Sequence, residues 1–167
     1  RRNRIKRRKM PSKTLVKVFA VLAVIAMTFT TVTSCGGNNK LPSVTDNAGE
    51  APIITPPKGD APTTLQTKDI IVGTGAEVLP TSTLTVHYTL MSWSNGAIVE
   101  SSWSGGQPAT FPLSGVIVGW QEGLPGAKAG GRRLLVIPAD KAYGPNGSGP
   151  IGPNETLIFV VDIIAVS

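Results

Sequence analysis

Beyond Thr64 the chain alternates short runs of apolar and polar residues with clusters of Gly, Pro and Asn, and this punctuation predicts strands joined by turns. Residues 83–92 (TLTVHYTLMS) carry a period of two, with Leu84, Val86, Tyr88 and Leu90 on one side and Thr83, Thr85, His87 and Thr89 on the other. Such a run is a half-buried strand. Asn95 and Gly96 form a hairpin signal, so residues 97–102 return as its partner. Residues 69–72 and the pair Thr110 and Phe111 are short strands, and 132–138 (RRLLVIP) and 155–166 (ETLIFVVDIIAV) are longer ones. The last is apolar enough to be central. Only residues 116–124 (VIVGWQEGL) read as helix, and Gly119 and Gly123 lower their propensity, so packing must hold that segment. The predicted class is α+β, a mainly antiparallel sheet over one short helix. Arg132 and Arg133 are expected as a solvated strand edge.

The first third has a different texture. A basic stretch precedes an apolar run of twelve at residues 18–29 (VFAVLAVIAMTF), the layout of a secretory signal. The run is shorter than the roughly 20 residues of a membrane span. It leads to VTSC, which resembles a bacterial lipobox and implies lipid attachment at Cys35. Met10 is the expected start of translation. Residues 36–65 hold five prolines and no aromatic side chain, and are expected to be a disordered, extended spacer. The expected organisation is a lipoprotein signal segment at 1–34, a lipidated Pro-rich tether at 35–65 and a folded domain at 66–167. The protein is then expected on the outer side of the bacterial cytoplasmic membrane or in the cell envelope, attached to the membrane through the lipid.

Charge and cysteine count narrow the chemistry. Nine of the sixteen Lys and Arg residues lie within the first seventeen positions. From Cys35 onward seven basic residues face ten acidic ones, a balance of −3, which removes the electrostatic basis for a nucleic-acid partner. One cysteine forms no intrachain disulfide, and one cysteine with one histidine makes a poor metal set.

Four segments in order resemble the FKBP family over about the last hundred residues. They are VHYT at 86–89, NGAIVESS at 95–102, VIVGWQEGLPGAKAGGRRLLVIPADKAYG at 116–144 and IGPNETLIFVVDI at 151–163. The resemblance implies a half-open antiparallel sheet wrapped around the short helix, with an apolar site between them. It places Trp120 as the floor under a proline ring and Tyr88, Phe111 and Phe159 as aromatic walls. The Ile117 amide and the Tyr143 hydroxyl are implied donors to the ligand backbone, with Glu100 beside them. Val99, Val116 and Ile151 line the rim as substrate-binding positions. Val99 and Glu100 stand where the family has Phe and Asp, Leu90 replaces a glycine, and Ala109 replaces an aromatic found in many members. The implied activity is peptidyl-prolyl cis-trans isomerisation of proline-containing polypeptides, without metal or organic cofactor, and the family's macrolide ligands are implied partners.

Taken singly, Trp120, Phe111 and Phe159 would read as ordinary core, Tyr143 as a loop tyrosine and Glu100 as a solvated strand-end carboxylate. His87 falls on the strand face away from Tyr88 and is expected outside the pocket. The alternative function is a peptide-binding or chaperone module of the same fold with little turnover, or a surface interaction protein in which the domain is a spacer.

Overall fold

A computed structural model describes residues 40–167; the expected signal segment and Cys35 lie outside the described residues. Six strands form one antiparallel sheet: β1 (Gln66–Ile71), β2 (Thr83–Ser92), β3 (Ile98–Ser101), β4 (Ala109–Pro112), β5 (Arg132–Ile137) and β6 (Leu157–Val166). The order is β1-β5-β6-β2-β3, and β4 also pairs with β2. One edge of β2 serves β4 from Thr83 to Val86 and β3 from Thr89 to Met91. The other edge pairs with β6 over its whole length.

The period of two in β2 divides the molecule. Leu84, Val86 and Leu90 pack on the inner face with Trp120, Leu124, Leu135, Ile137 and Phe159. On the outer face Met91 and Trp93 join Leu134, Val136, Ile158 and Val160. The single α-helix among the described residues, α1 (Val118–Gly123), lies across the inner face. Its glycines, poor helix formers, are explained by proximity. A Cβ on Gly119 would overlap the Ile137 side chain, and one on Gly123 would overlap Leu135. The helix comes close enough to β5 to bury Trp120 and Leu124 only because both positions lack a side chain.

Two expectations are corrected. Residues 40–65 are not a disordered tether but a strap on the outer face. Val44 bridges Ile54, Thr45 N–H donates to the Ile53 carbonyl at 3.2 Å, and Thr55 N–H donates to the Ser43 carbonyl at 2.9 Å. Ile54 is 7% exposed in the outer core, whereas Ile53 points out at 69%. The Trp93 indole N–H donates to the Gly59 carbonyl at 3.2 Å. Polar composition is misleading here because Ile54, Leu41, Val44 and Ala61 together cover an apolar sheet face that would otherwise meet water.

The two arginines are not a solvated edge, since β5 lies between β1 and β6. Arg132 has no exposed surface. Its Nε and one terminal nitrogen grip both Asp162 oxygens at 2.7 Å. The remaining N–H groups donate to strap acceptors, the Thr45 carbonyl at 2.9 Å, the Glu50 carbonyl at 2.6 Å and Asn47 Oδ1 at 3.4 Å. Arg133 forms a two-point pair with Asp69 across the strands, at 2.6 and 3.0 Å. The remaining differences are shifts of element ends: β1 begins three residues earlier than expected and α1 two residues later. The turn at Asn95-Gly96 is longer than two residues, with Gly96 at φ 66° and Gly96 N–H donating to the Ser92 carbonyl at 3.0 Å.

Candidate active site

A cleft of 640 Å³ opens between the inner face of the sheet, α1 and the late loop, the connection from β5 to β6. Trp120, 4% exposed, forms its floor. Tyr88 on β2, Phe111 on β4 and Phe159 on β6 meet the indole nearly edge-on, with ring centroids 5.8, 5.9 and 5.3 Å away and interplanar angles of 81°, 90° and 87°. Such edge-to-face contacts are favoured by the ring quadrupoles. The arrangement follows from sequence parity, since Tyr88 and Phe159 fall on the inner face of their strands and Trp120 on the buried side of α1. The Trp120 indole N–H is buried and has no hydrogen-bond acceptor among the described residues.

Val99 and Glu100 are consecutive on β3 yet both line the cleft. A bulge makes this possible. Leu90 pairs with Glu100 and Met91 with Ile98, so Val99 is the extra residue and the strand bends toward the pocket. Glu100 Oε1 accepts a 2.6 Å hydrogen bond from the Tyr88 hydroxyl. Burial, then that hydrogen bond and the Glu100 charge, hold the Tyr88 phenol protonated well above the ordinary tyrosine range. Neutral Tyr88 therefore keeps its hydroxyl hydrogen as a donor to Glu100 through the physiological range.

Val116 and Ile117 lead into α1. The Ile117 carbonyl accepts from Trp120 N–H at 3.0 Å and Gln121 N–H at 3.2 Å, and Gln121 Nε2 donates to the Val116 carbonyl at 2.7 Å. The Ile117 N–H finds no protein acceptor among the described residues. Tyr143 stands at the mouth, 39% exposed. Opposite, Ser148 and Ile151 exchange backbone hydrogen bonds of 2.9 Å, closing a turn that presents Ile151 to the cleft. Gly147 enters that turn at φ 66°, where a Cβ would strike the Ile151 carbonyl.

Comparison with known proteins agrees with this geometry. The family description "FKBP-type peptidyl-prolyl cis-trans isomerase" matches residues 75–164. The chain is 50% identical over 116 residues to the "Probable FK506-binding protein" of Corynebacterium glutamicum, covering 70% of this chain and 98% of that one. The chain belongs to the FKBP-type peptidyl-prolyl cis-trans isomerase family. It is also 47% identical over 106 residues to the "Outer membrane protein MIP" of Legionella longbeachae, covering 63% of this chain and 45% of that one. The crystal structure of FkpA from Escherichia coli superposes with a TM-score of 0.59 at 38% identity, over 62% of this chain and 48% of that one. The half-open sheet with its short helix is thus the FKBP fold, and the protein is an enzyme of the isomerase class.

The FKBP cleft gathers Tyr88, Val99, Glu100, Phe111, Val116, Ile117, Trp120, Tyr143, Ile151 and Phe159 on one wall or another. Sequence reasoning did not assign Leu90, Gly115, Ser148, Gly149 or Pro150, which also line it. Leu90 shares the strand face of Tyr88 and was findable by parity. The three late-loop residues carry no periodicity and read only as a turn. His87 is outside the cleft, stacked on Trp103 with ring centroids 4.0 Å apart. Cys35 lies outside the described residues.

Proposed function

We propose that this isomerase binds an X-Pro segment with the proline ring on Trp120 between Tyr88, Phe111 and Phe159. The Ile117 N–H and the Tyr143 hydroxyl donate to the ligand backbone. Glu100 orients Tyr88, and Val99, Val116 and Ile151 contact the flanking residues. One observation carries this reading: among the lining residues only Glu100 is charged, and it is engaged by Tyr88. No group is poised as a general acid or base. The chemistry needs none. The X-Pro bond rotates against a barrier of about 18–20 kcal/mol because resonance stiffens the amide. Twisting removes that resonance and reduces the carbonyl's polarity, so a dry aromatic cleft favours the twisted state over the planar one.

The test is isomerisation of a Leu-Pro peptide, followed by exchange or protease-coupled kinetics from about pH 5.5 to 8.5. A nearly flat profile is expected. Tyr143→Phe removes one hydrogen bond of about 1 kcal/mol, several-fold in rate. Phe111→Ala lets water into the wall and costs roughly 10-fold or more. A bell-shaped profile near neutrality that vanishes in His87→Ala would overturn the mechanism in favour of base catalysis.

The clients proposed are proline-containing polypeptides outside the cytoplasmic membrane, with the chain anchored through a lipid on Cys35. The signal-like run ending in VTSC and the likeness to an outer membrane protein support this location. Cys35→Ser is expected to release the protein from membranes or leave its leader uncleaved; unchanged detergent partitioning and mature mass would refute it. Macrolides of the FK506 class are proposed to compete for the same cleft, as the name of the Corynebacterium relative suggests.

A further inference from the structure

The edge of β2 has a gap. β4 pairs with it as far as Val86 and β3 resumes at Thr89, so neither strand offers a backbone partner to Tyr88. An unpaired amide on a partly buried strand costs about as much as a lost hydrogen bond. Ser102 fills the gap with its side chain. Its Oγ accepts from Tyr88 N–H at 2.8 Å and lies 3.3 Å from the Tyr88 carbonyl and 2.9 Å from His87 Nδ1. The His87 ring in turn stacks on Trp103, the next residue along, with an interplanar angle of 18°. None of the three lines the cleft.

We propose that Ser102, His87 and Trp103 are positioning residues that hold the aromatic wall in its working geometry. Ser102 and Trp103 lie in the 3-10 turn Ser102–Gly105, between β3, which carries Val99 and Glu100, and β4, which carries Phe111. That turn is the connection by which Glu100 and Phe111 are set relative to Tyr88. Their contacts are short-range, 2.6 Å from the Tyr88 hydroxyl to Glu100 and 6.1 Å between the Tyr88 and Phe111 rings. Sliding the turn along β2 would break the first and open the second. The clamp works with either histidine tautomer. When Nδ1 lacks a hydrogen, the Ser102 hydroxyl donates to it; when Nδ1 carries one, the ring donates to Oγ and the hydroxyl turns to the Tyr88 carbonyl.

The experiment measures kcat and KM on a Leu-Pro peptide for the full chain, with melting temperature recorded for each variant. Ser102→Ala is expected to lower kcat about 10-fold with KM changed less than about 2-fold, since misplacing wall groups acts on the twisted state. Ser102→Thr, which keeps the oxygen, is expected to restore most of the rate. Ile54→Ala, on the outer face, serves as a stability-matched control: its melting temperature falls and its kcat holds. Should Ser102→Ala fail to fold, His87→Ala is expected to lower kcat about 3-fold, and His87→Phe, which keeps the stack on Trp103, to recover it. Ser102→Ala or His87→Ala with unchanged kcat, a loss shared equally by Ile54→Ala, or no recovery in Ser102→Thr would overturn the proposal.

Discussion

Replacing Arg132 by Met tests whether the strap is part of the fold. The methionine fits the volume of the arginine stem but removes every donor. Asp162, 14% exposed at its side chain, loses both of its 2.7 Å partners, and the Thr45 and Glu50 carbonyls lose theirs. Removing one member of a buried pair costs about 3–5 kcal/mol, because the survivor stays desolvated without compensation. Partial exposure of Asp162 puts the expected loss near the lower end, about 3 kcal/mol, or roughly 10 °C in melting temperature for a domain of this size. Urea denaturation of the purified chain measures it, and limited proteolysis reads the strap separately, with cutting between residues 45 and 61 accelerated. Arg132→Met with Asp162→Leu is expected to regain part of the loss, since no uncompensated carboxylate then remains. A single-mutant loss below about 0.5 kcal/mol, the size of an ordinary surface change, would refute the reasoning and return Arg132 to the solvated edge expected from sequence.

A chain beginning at Thr64 is expected to melt well below the longer form, because Met91, Trp93, Leu134 and Ile158 lose their cover; equal melting temperatures would contradict the strap. Gly119→Ala is expected to destabilise by about 1–3 kcal/mol by pushing α1 away from Ile137, and unfolding curves matching wild type would show that the helix shifts freely. Glu155 supplies a pH dependence. Burial acts to raise its pKa, but the hydroxyl and amide of Ser94, the Ser92 hydroxyl and the Trp93 amide outweigh it and hold the carboxyl below the ordinary glutamate value. A depressed folded-state pKa contributes stability above the unfolded value of about 4.3, and this is lost as pH falls through the lower folded value. Glu155→Gln is therefore expected to flatten the acid limb of a stability profile as pH falls below the unfolded glutamate value, and an unchanged limb would exclude this carboxylate.

The inner face was legible in the sequence because two periodicities converge on it. Alternation along TLTVHYTL separates Tyr88 from His87, and the structure keeps them apart, one in the cleft and one stacked outside it. The positions in register with the FKBP segments reach the same cleft from five elements, which no local pattern alone could reveal. The outer face was hidden for the opposite reason. Ile54 is a single apolar residue in a Pro-rich run, and nothing local says that it finds Trp93 and Val160. Arg132 and Arg133 look like a polar strand start, and only the order of strands places them inside the sheet, where Asp162 and Asp69 come from segments 30 and 64 residues distant. The late-loop residues Ser148 to Pro150 face the cleft because of a turn closed by Gly147, a tertiary consequence of one backbone angle.

The two faces of the sheet carry different duties, and β2 is where they are bound together. Strap, Arg132 and the outer cluster bear on stability, whereas Trp120 and its ring of aromatics bear on the reaction, and the strands between are packed too densely to bend smoothly. Loosening the strap therefore lowers the population of folded molecules before it alters the rate of each. Coupling between the faces needs a group that touches both, and the sheet supplies it at the break in the ladder. His87 and Tyr88 are neighbours pointing opposite ways, and the Ser102 hydroxyl reaches the ring of one and the backbone of the other. Changes on the outer face affect catalysis at that junction to the extent that they move the Ser102 turn, which makes kcat in Ser102 variants, rather than in strap variants, the measure of how tightly the faces are linked.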